Sequence, residues 1–110
     1  MSGPLDLPIA GLQFTPASPP DRARGLLGFL AFDHGGLRID GVAVRRTLRG
    51  RVQISYPERL RRGGGSYPIV RPLDAATRRA LEERILDALA PQLAALEREE
   101  RDARRAGGSR

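Results

Sequence analysis

The run Gly25-Leu-Leu-Gly-Phe-Leu-Ala-Phe32 constrains this chain more than any other stretch of it. On an extended strand it is apolar on both faces, with Leu27, Phe29 and Ala31 on one side and Leu26, Leu30 and Phe32 on the other. Side chains alternate across a strand, so a strand with one wet face carries polar residues at every second position. This one does not, and it must lie centrally in a sheet or have its second face covered by a partner. The residues that follow build a sheet around it. Asp33-His-Gly-Gly36 reads as a hairpin turn. Residues 37–44 return as a strand whose apolar parity, Leu37 and Ile39 then Val42 and Val44, flips across Asp40-Gly41. That flip marks a β-bulge at the glycine. After a turn over residues 45–50, residues 51–56 alternate cleanly, Val52, Ile54 and Tyr56 inward and Arg51, Gln53 and Ser55 outward, as a half-buried antiparallel strand does.

Upstream, residues 9–15 read as a first strand with Leu12 and Phe14 on one face, and residues 15–24, with Pro16, Pro19 and Pro20, read as a loop. Downstream, Pro57 ends the last alternating strand, and Glu-Arg-Leu-Arg-Arg-Gly-Gly-Gly-Ser over residues 58–66 reads as a loop leading to a short extended piece at 67–70. Asp74 is a good helix N-cap. Beyond it Leu81, Ile85, Leu89, Leu93 and Leu96 recur every three or four residues, joined by Leu86 and Ala88, on the stripe of an amphipathic helix. Pro91 takes a hydrogen bond from the carbonyl of Asp87, so the main helix is expected over about 75–90, with a kinked or separate continuation. Residues 97–110 are charged and expected to fray.

The fold class is therefore α+β: a small antiparallel sheet of three to four strands in hairpins, followed by a C-terminal amphipathic helix. One domain is expected over residues 9–90, a flexible N-terminus over 1–8, and a helical continuation with a charged, disordered tail over 91–110. A core drawn from some 80 of 110 residues is marginal by itself, and oligomerisation is the natural remedy.

Formal net charge is +6, and it is unevenly spread. Residues 1–58 hold seven Arg and five acids, and residues 74–110 hold eight of each. Residues 59–73 hold Arg59, Arg61, Arg62 and Arg71 and no acid. A localised surplus favours a polyanionic partner more than a diffuse one does. All 19 basic residues are Arg, which suits bidentate phosphate recognition. Genomic base composition is the better explanation, because the bias runs through helix and tail alike.

Several function classes are excluded. With no cysteine there is no disulfide framework, thiolate catalysis or cysteine zinc site. The opening MSGPLDLPIAG has neither the basic start nor the apolar run of a secretory signal, and no apolar stretch approaches the roughly 20 residues of a membrane span. A soluble, cytoplasmic protein with no membrane partner is expected. His34 is the only histidine, with Asp33 alone as a neighbouring partner, and reads as a turn residue. Glu82, Glu83 and Asp87 fall where i,i+4 pairs with Arg78 and Arg79 form on a helix. Gly63-Gly64-Gly65 is not a phosphate-binding P-loop, since no Lys-Ser/Thr follows. No catalytic residues, metal ligands, cofactor or small-molecule substrate are indicated, and the chain reads as no enzyme.

From Tyr56 the chain runs Tyr-Pro-Glu-Arg-Leu-Arg-Arg-Gly-Gly-Gly-Ser-Tyr-Pro-Ile-Val-Arg-Pro-Leu-Asp-Ala-Ala-Thr-Arg. This closely resembles a stretch of the septation protein SpoVG family: a strand-ending Pro, a basic loop, an Ile-x-x-Pro element and a helix. The matching positions are Pro57, Arg59, Gly64, Ile69, Pro72, Asp74 (Asn in the family), Thr77 and Arg78. Residues 28–32 with Asp33-His34, and the strand from Asp40 to Val44, look like the family's central hairpin, with a one-residue offset between Gly50 and Pro57. Of the family's adjacent basic pair only Arg59 is kept; Leu60 takes the second place, and Arg61 and Arg62 follow it. The resemblance covers residues 9–90. It implies a dimeric β-sheet protein with a C-terminal helix and no cofactor, acting in sporulation, septation and gene regulation through DNA or RNA.

Arg59, Arg61, Arg62 and Arg71 are thus the candidate nucleic-acid-binding residues, with the glycines allowing close approach to a phosphate backbone. Tyr67 sits close enough to stack on a base, although packing against the helix is the expected arrangement. DNA or RNA is the expected partner, bound by a homodimer that doubles the footprint. The other reading is a protein-interaction factor in cell division, with the basic loop incidental. A small-molecule-binding or enzymatic domain is a third and weaker class.

Overall fold

In the computed structural model, which describes residues 9–108, the chain runs β1 (Ala10–Pro16), α1 (Pro19–Ala23), β2 (Leu26–His34), β3 (Leu37–Arg46), β4 (Val52–Ser55), β5 (Glu58–Leu60), β6 (Ser66–Pro68) and α2 (Ala75–Gly108). The flexible N-terminus expected over 1–8 lies outside the described residues, as do residues 109 and 110. The first four strands form one antiparallel sheet in the order β1-β2-β3-β4, and α2 follows it, an α+β arrangement. Among the described residues no helix is long and apolar enough to cross a membrane.

The doubly apolar strand takes the inner place expected of it, between β1 and β3. Gly35-Gly36 closes the β2–β3 hairpin, and His34 is the last strand residue, opposite Leu37. The bulge falls at Gly41: Leu30 faces Val42 while Phe32 faces Ile39, so three steps on β3 match two on β2. Gly41 adopts φ 72°, a left-handed backbone that glycine takes without a Cβ penalty. Its effect is to put Ile39, Val42 and Val44 on the same side.

A second irregularity, between Leu26 and Gly28, was not legible in the sequence. It turns Leu27 to the same side as Leu30 and Phe32, where simple alternation assigns it to the other. These three join Val42, Val44, Ile54, Leu81, Ile85 and Leu89 in one buried cluster between sheet and helix. Phe29 remains on the opposite face, in a row Thr15, Phe29, Ala43, Ser55 across the sheet. There Phe29 is 45% exposed.

Two expectations about the prolines are corrected. Residues 19–23 are a short helix rather than loop: Ser18 Oγ accepts from Asp21 N–H, and Pro19 stands in the first turn, where its missing N–H has no helical partner to lose. And α2 does not end near Ala90; it continues through Pro91 to Gly108. Pro91 and Asp87 both lie on the exposed side, so water can reach the carbonyl that the ring leaves without an amide partner. Leu93 and Leu96 carry the apolar stripe past it, half-buried and buried. At the other end Asp74 caps as expected, accepting from Thr77 N–H at 2.7 Å. That bond, with help from the Thr77 hydroxyl, holds its carboxyl below the usual range.

The charged tail is helical and engaged. Arg22, whose side chain is only 9% exposed, meets Glu99 at 3.2 Å and Glu100 at 3.8 Å, and Arg46 meets Glu100 at 3.3 Å. Truncation after Glu97 removes both carboxylates and is expected to cost about 1 kcal/mol, several degrees in Tm. An unchanged melting curve for the truncated chain would show that these pairs hold nothing together.

Candidate nucleic-acid interface

The basic segment is not a loop but a projecting β-hairpin. β5 and β6 form their own two-stranded sheet, separate from the first, with Glu58 opposite Pro68, Arg59 opposite Tyr67 and Leu60 opposite Ser66. Arg61 N–H donates to the Gly65 carbonyl at 2.9 Å, and Ile69 N–H to the Pro57 carbonyl at 3.0 Å, closing the ribbon at tip and foot. Gly63, Gly64 and Gly65 all have positive φ, 93°, 113° and 80°, so the turn itself demands glycine. Every residue from 58 to 71 is exposed. This arm and the long helix give the chain a radius of gyration of 16.1 Å, where a compact 110-residue domain has about 13 Å.

Alternation sorts the arm into two faces. Arg59 and Tyr67 share one, and the Arg61 guanidinium lies over the Tyr67 ring, 5.4 Å from its centroid, within cation–π range. The other face carries Leu60 and Pro68 with Glu58 and Ser66, whose hydroxyl donates to Glu58 Oε2 at 2.7 Å. The only carboxylate of the arm therefore lies on the face opposite Arg59 and Arg61. Arg62 sits in the turn, and Arg71 lies beyond the foot of the ribbon, outside it.

Of the four arginines expected to act together, the structure unites Arg59 and Arg61, sets Arg62 beside them at the tip, and separates Arg71. Tyr67, expected against the helix, instead completes the Arg59–Arg61 face and lies outside the core. The signal for this was present in Leu60-Arg-Arg-Gly-Gly-Gly-Ser66, a glycine turn between two short extended pieces. Pro68 hid it, because proline argues against a strand unless the strand is at an edge.

At the foot of the arm Tyr56 packs against the core under Arg78, whose guanidinium lies 5.7 Å from the ring centroid. Arg78 also attracts the Glu82 carboxylate, its expected helical partner, without a contact as close as an ion pair among those of the described residues. The Tyr56 hydroxyl is buried and meets no hydrogen-bond partner among the described residues. Burial, then the nearby Glu82 carboxylate, push its pKa up to about 12, against the opposing pull of Arg78. Burial likewise raises Glu82, with Arg78 opposing. Because the folded-state pKa of Tyr56 exceeds the unfolded value of about 10, its proton is held more tightly when folded, and stability falls as pH rises from about 10 towards 12. Tyr56→Phe is expected to flatten that alkaline loss without lowering stability at neutral pH, since it removes an unpartnered hydroxyl. Urea titrations of both proteins across that range provide the check.

A cleft of about 700 Å³ lies elsewhere, where Arg22 and Arg46 meet Glu99 and Glu100. Those ion pairs line it. Among the described residues no group of three or more His, Asp or Glu is placed to hold a metal ion. Compared with protein-family models, with curated proteins and with solved structures, the chain matches none.

Proposed function

We propose that this protein is a cytoplasmic, non-enzymatic regulator that binds DNA or RNA through its β5–β6 arm, as its resemblance to the SpoVG family implies, with roles in gene regulation, sporulation or septation. The observation that carries the reading is the arm's one-sided chemistry: Arg59 and Arg61 on a face without acid, Arg62 at the tip, all solvated and clear of the core. Solvated arginines on a projecting ribbon can reach phosphates without rearranging the domain. Anisotropy titrations against single-stranded RNA and duplex DNA at two salt concentrations test it. Binding that weakens steeply with salt supports the reading, and no binding to either probe removes it.

A homodimer belongs to this proposal. The sheet face opposite α2 carries half-exposed Phe29, a large apolar side chain of the kind a second subunit covers. Sedimentation at tens of micromolar is expected to give twice the monomer mass, and Phe29→Ser to shift it towards monomer. A parent chain that sediments only as monomer would remove the doubled footprint.

One observation favours a second reading, a protein-interaction factor in cell division. Leu60 is 84% exposed, and Ile69 and Leu73 are also open to solvent at or near the foot of the arm. Exposed aliphatic side chains on and beside a ribbon suit a protein surface better than a phosphate backbone. A charge-neutral arm that still captures its cellular partner would favour this reading.

A further inference from the structure

Resting on the nucleic-acid reading above, we infer that the arm's ligand is a single strand, one of whose bases stacks on the Tyr67–Arg61 pair. The Arg61 guanidinium lies over the Tyr67 ring on an exposed ribbon face, 5.4 Å between guanidinium carbon and ring centroid, so that ring and cation present one stacked pair to solvent. Tyr67 retains 38% of its surface open, although it is paired across the ribbon with Arg59. A tyrosine kept out of the core and flanked by two cations has a use with unstacked bases, whose π-faces are open to aromatic rings and to arginine planes. In a duplex those faces are covered by neighbouring base pairs, and the ring has nothing to stack on.

Charge placement points the same way. With Glu58 and its Ser66 partner on the opposite face, only one side of the ribbon accepts an anion. A single strand needs only one side. A ribbon set into a groove between two phosphate walls brings its acidic face near one of them, where like charge opposes binding. Stacking adds affinity that does not depend on salt.

The experiment compares labelled oligo-U, oligo-dT and duplex DNA, each of about 12 nucleotides per strand, by anisotropy at two salt concentrations. The parent protein is expected to bind a single strand more tightly than the duplex. Tyr67→Ala is expected to weaken single-strand binding about 5- to 150-fold, the equivalent of one lost stack, with an unchanged salt slope. Tyr67→Phe retains the ring and is expected to bind as the parent does. Oligo-U and oligo-dT differ in the 2′-hydroxyl and in the thymine methyl, so preference for either shows that the arm senses one of these groups, and equal binding shows that it senses neither; all three support the inference. Duplex bound more tightly than both single strands, or Tyr67→Ala binding single strands like the parent, overturns it and leaves the nucleic-acid reading in place. No binding to any probe overturns both. Matching Tm values for parent and variants exclude unfolding as the cause.

Discussion

The triple variant Arg59→Ser, Arg61→Ser, Arg62→Ser is expected to lose most of its nucleic-acid affinity while melting where the parent does. Affinity falls because each arginine that reaches a phosphate releases counterions, so removing it lowers the log–log salt slope by roughly 0.9 on duplex or 0.7 on a single strand. With all three arginines on phosphates in both subunits of a dimer, the slope falls by roughly 5 on duplex and 4 on single strands, which is the upper bound. Stability is spared because the three side chains are exposed on a ribbon that pairs only with itself, and none forms an ion pair among the described residues. The Arg61–Tyr67 cation–π pair goes with them, but at an exposed site it contributes only about 0.5–1 kcal/mol. The variant binding with unaltered affinity and slope would make the basic arm incidental and favour the protein-interaction reading.

Phe32→Ala is expected to destabilise the domain by about 3–5 kcal/mol. Phe32 is fully buried, and it lies in the cluster that joins β2, β3 and β4 to α2. Removing the ring leaves a cavity lined by strand and helix side chains that cannot all close in, because the hydrogen-bonded sheet fixes the backbone beneath them. A small domain has only about 5–15 kcal/mol in total, so the variant is expected to be partly unfolded near physiological temperature. Urea unfolding measures this as a lower midpoint with a similar slope. A loss under about 1 kcal/mol would mean that the helix does not pack where described.

The two variants separate the molecule's parts. The first acts on the arm and spares the core; the second acts on the core and leaves the arm's surface chemistry intact.

The sequence determined the local elements and the place of the charge. Val52, Ile54 and Tyr56 alternate because one face of β4 is wet, and Leu81, Ile85 and Leu89 recur at helical spacing because one face of α2 is dry. The bulge at Gly41 was visible because an inserted residue reverses parity within a few positions. Asp74 was readable as a cap because capping involves only the next three residues. The surplus of Arg59, Arg61 and Arg62 over acid needs no fold to be seen. What tertiary structure alone decided lies beyond that range. Leu27 changes sides because β2 slips against β3, a property of the pair of strands. The helix persists through Pro91 because Leu93 and Leu96 extend its apolar stripe and Glu100 meets Arg46, 54 residues away in the chain. The Arg59, Tyr67, Arg61 face exists only once two short strands pair in one register, and a slip of one residue would turn Tyr67 to the side of Glu58. Periodicity records which face of an element is wet. It does not record which distant element covers the other face, and here that pairing set the helix end and the chemistry of the arm.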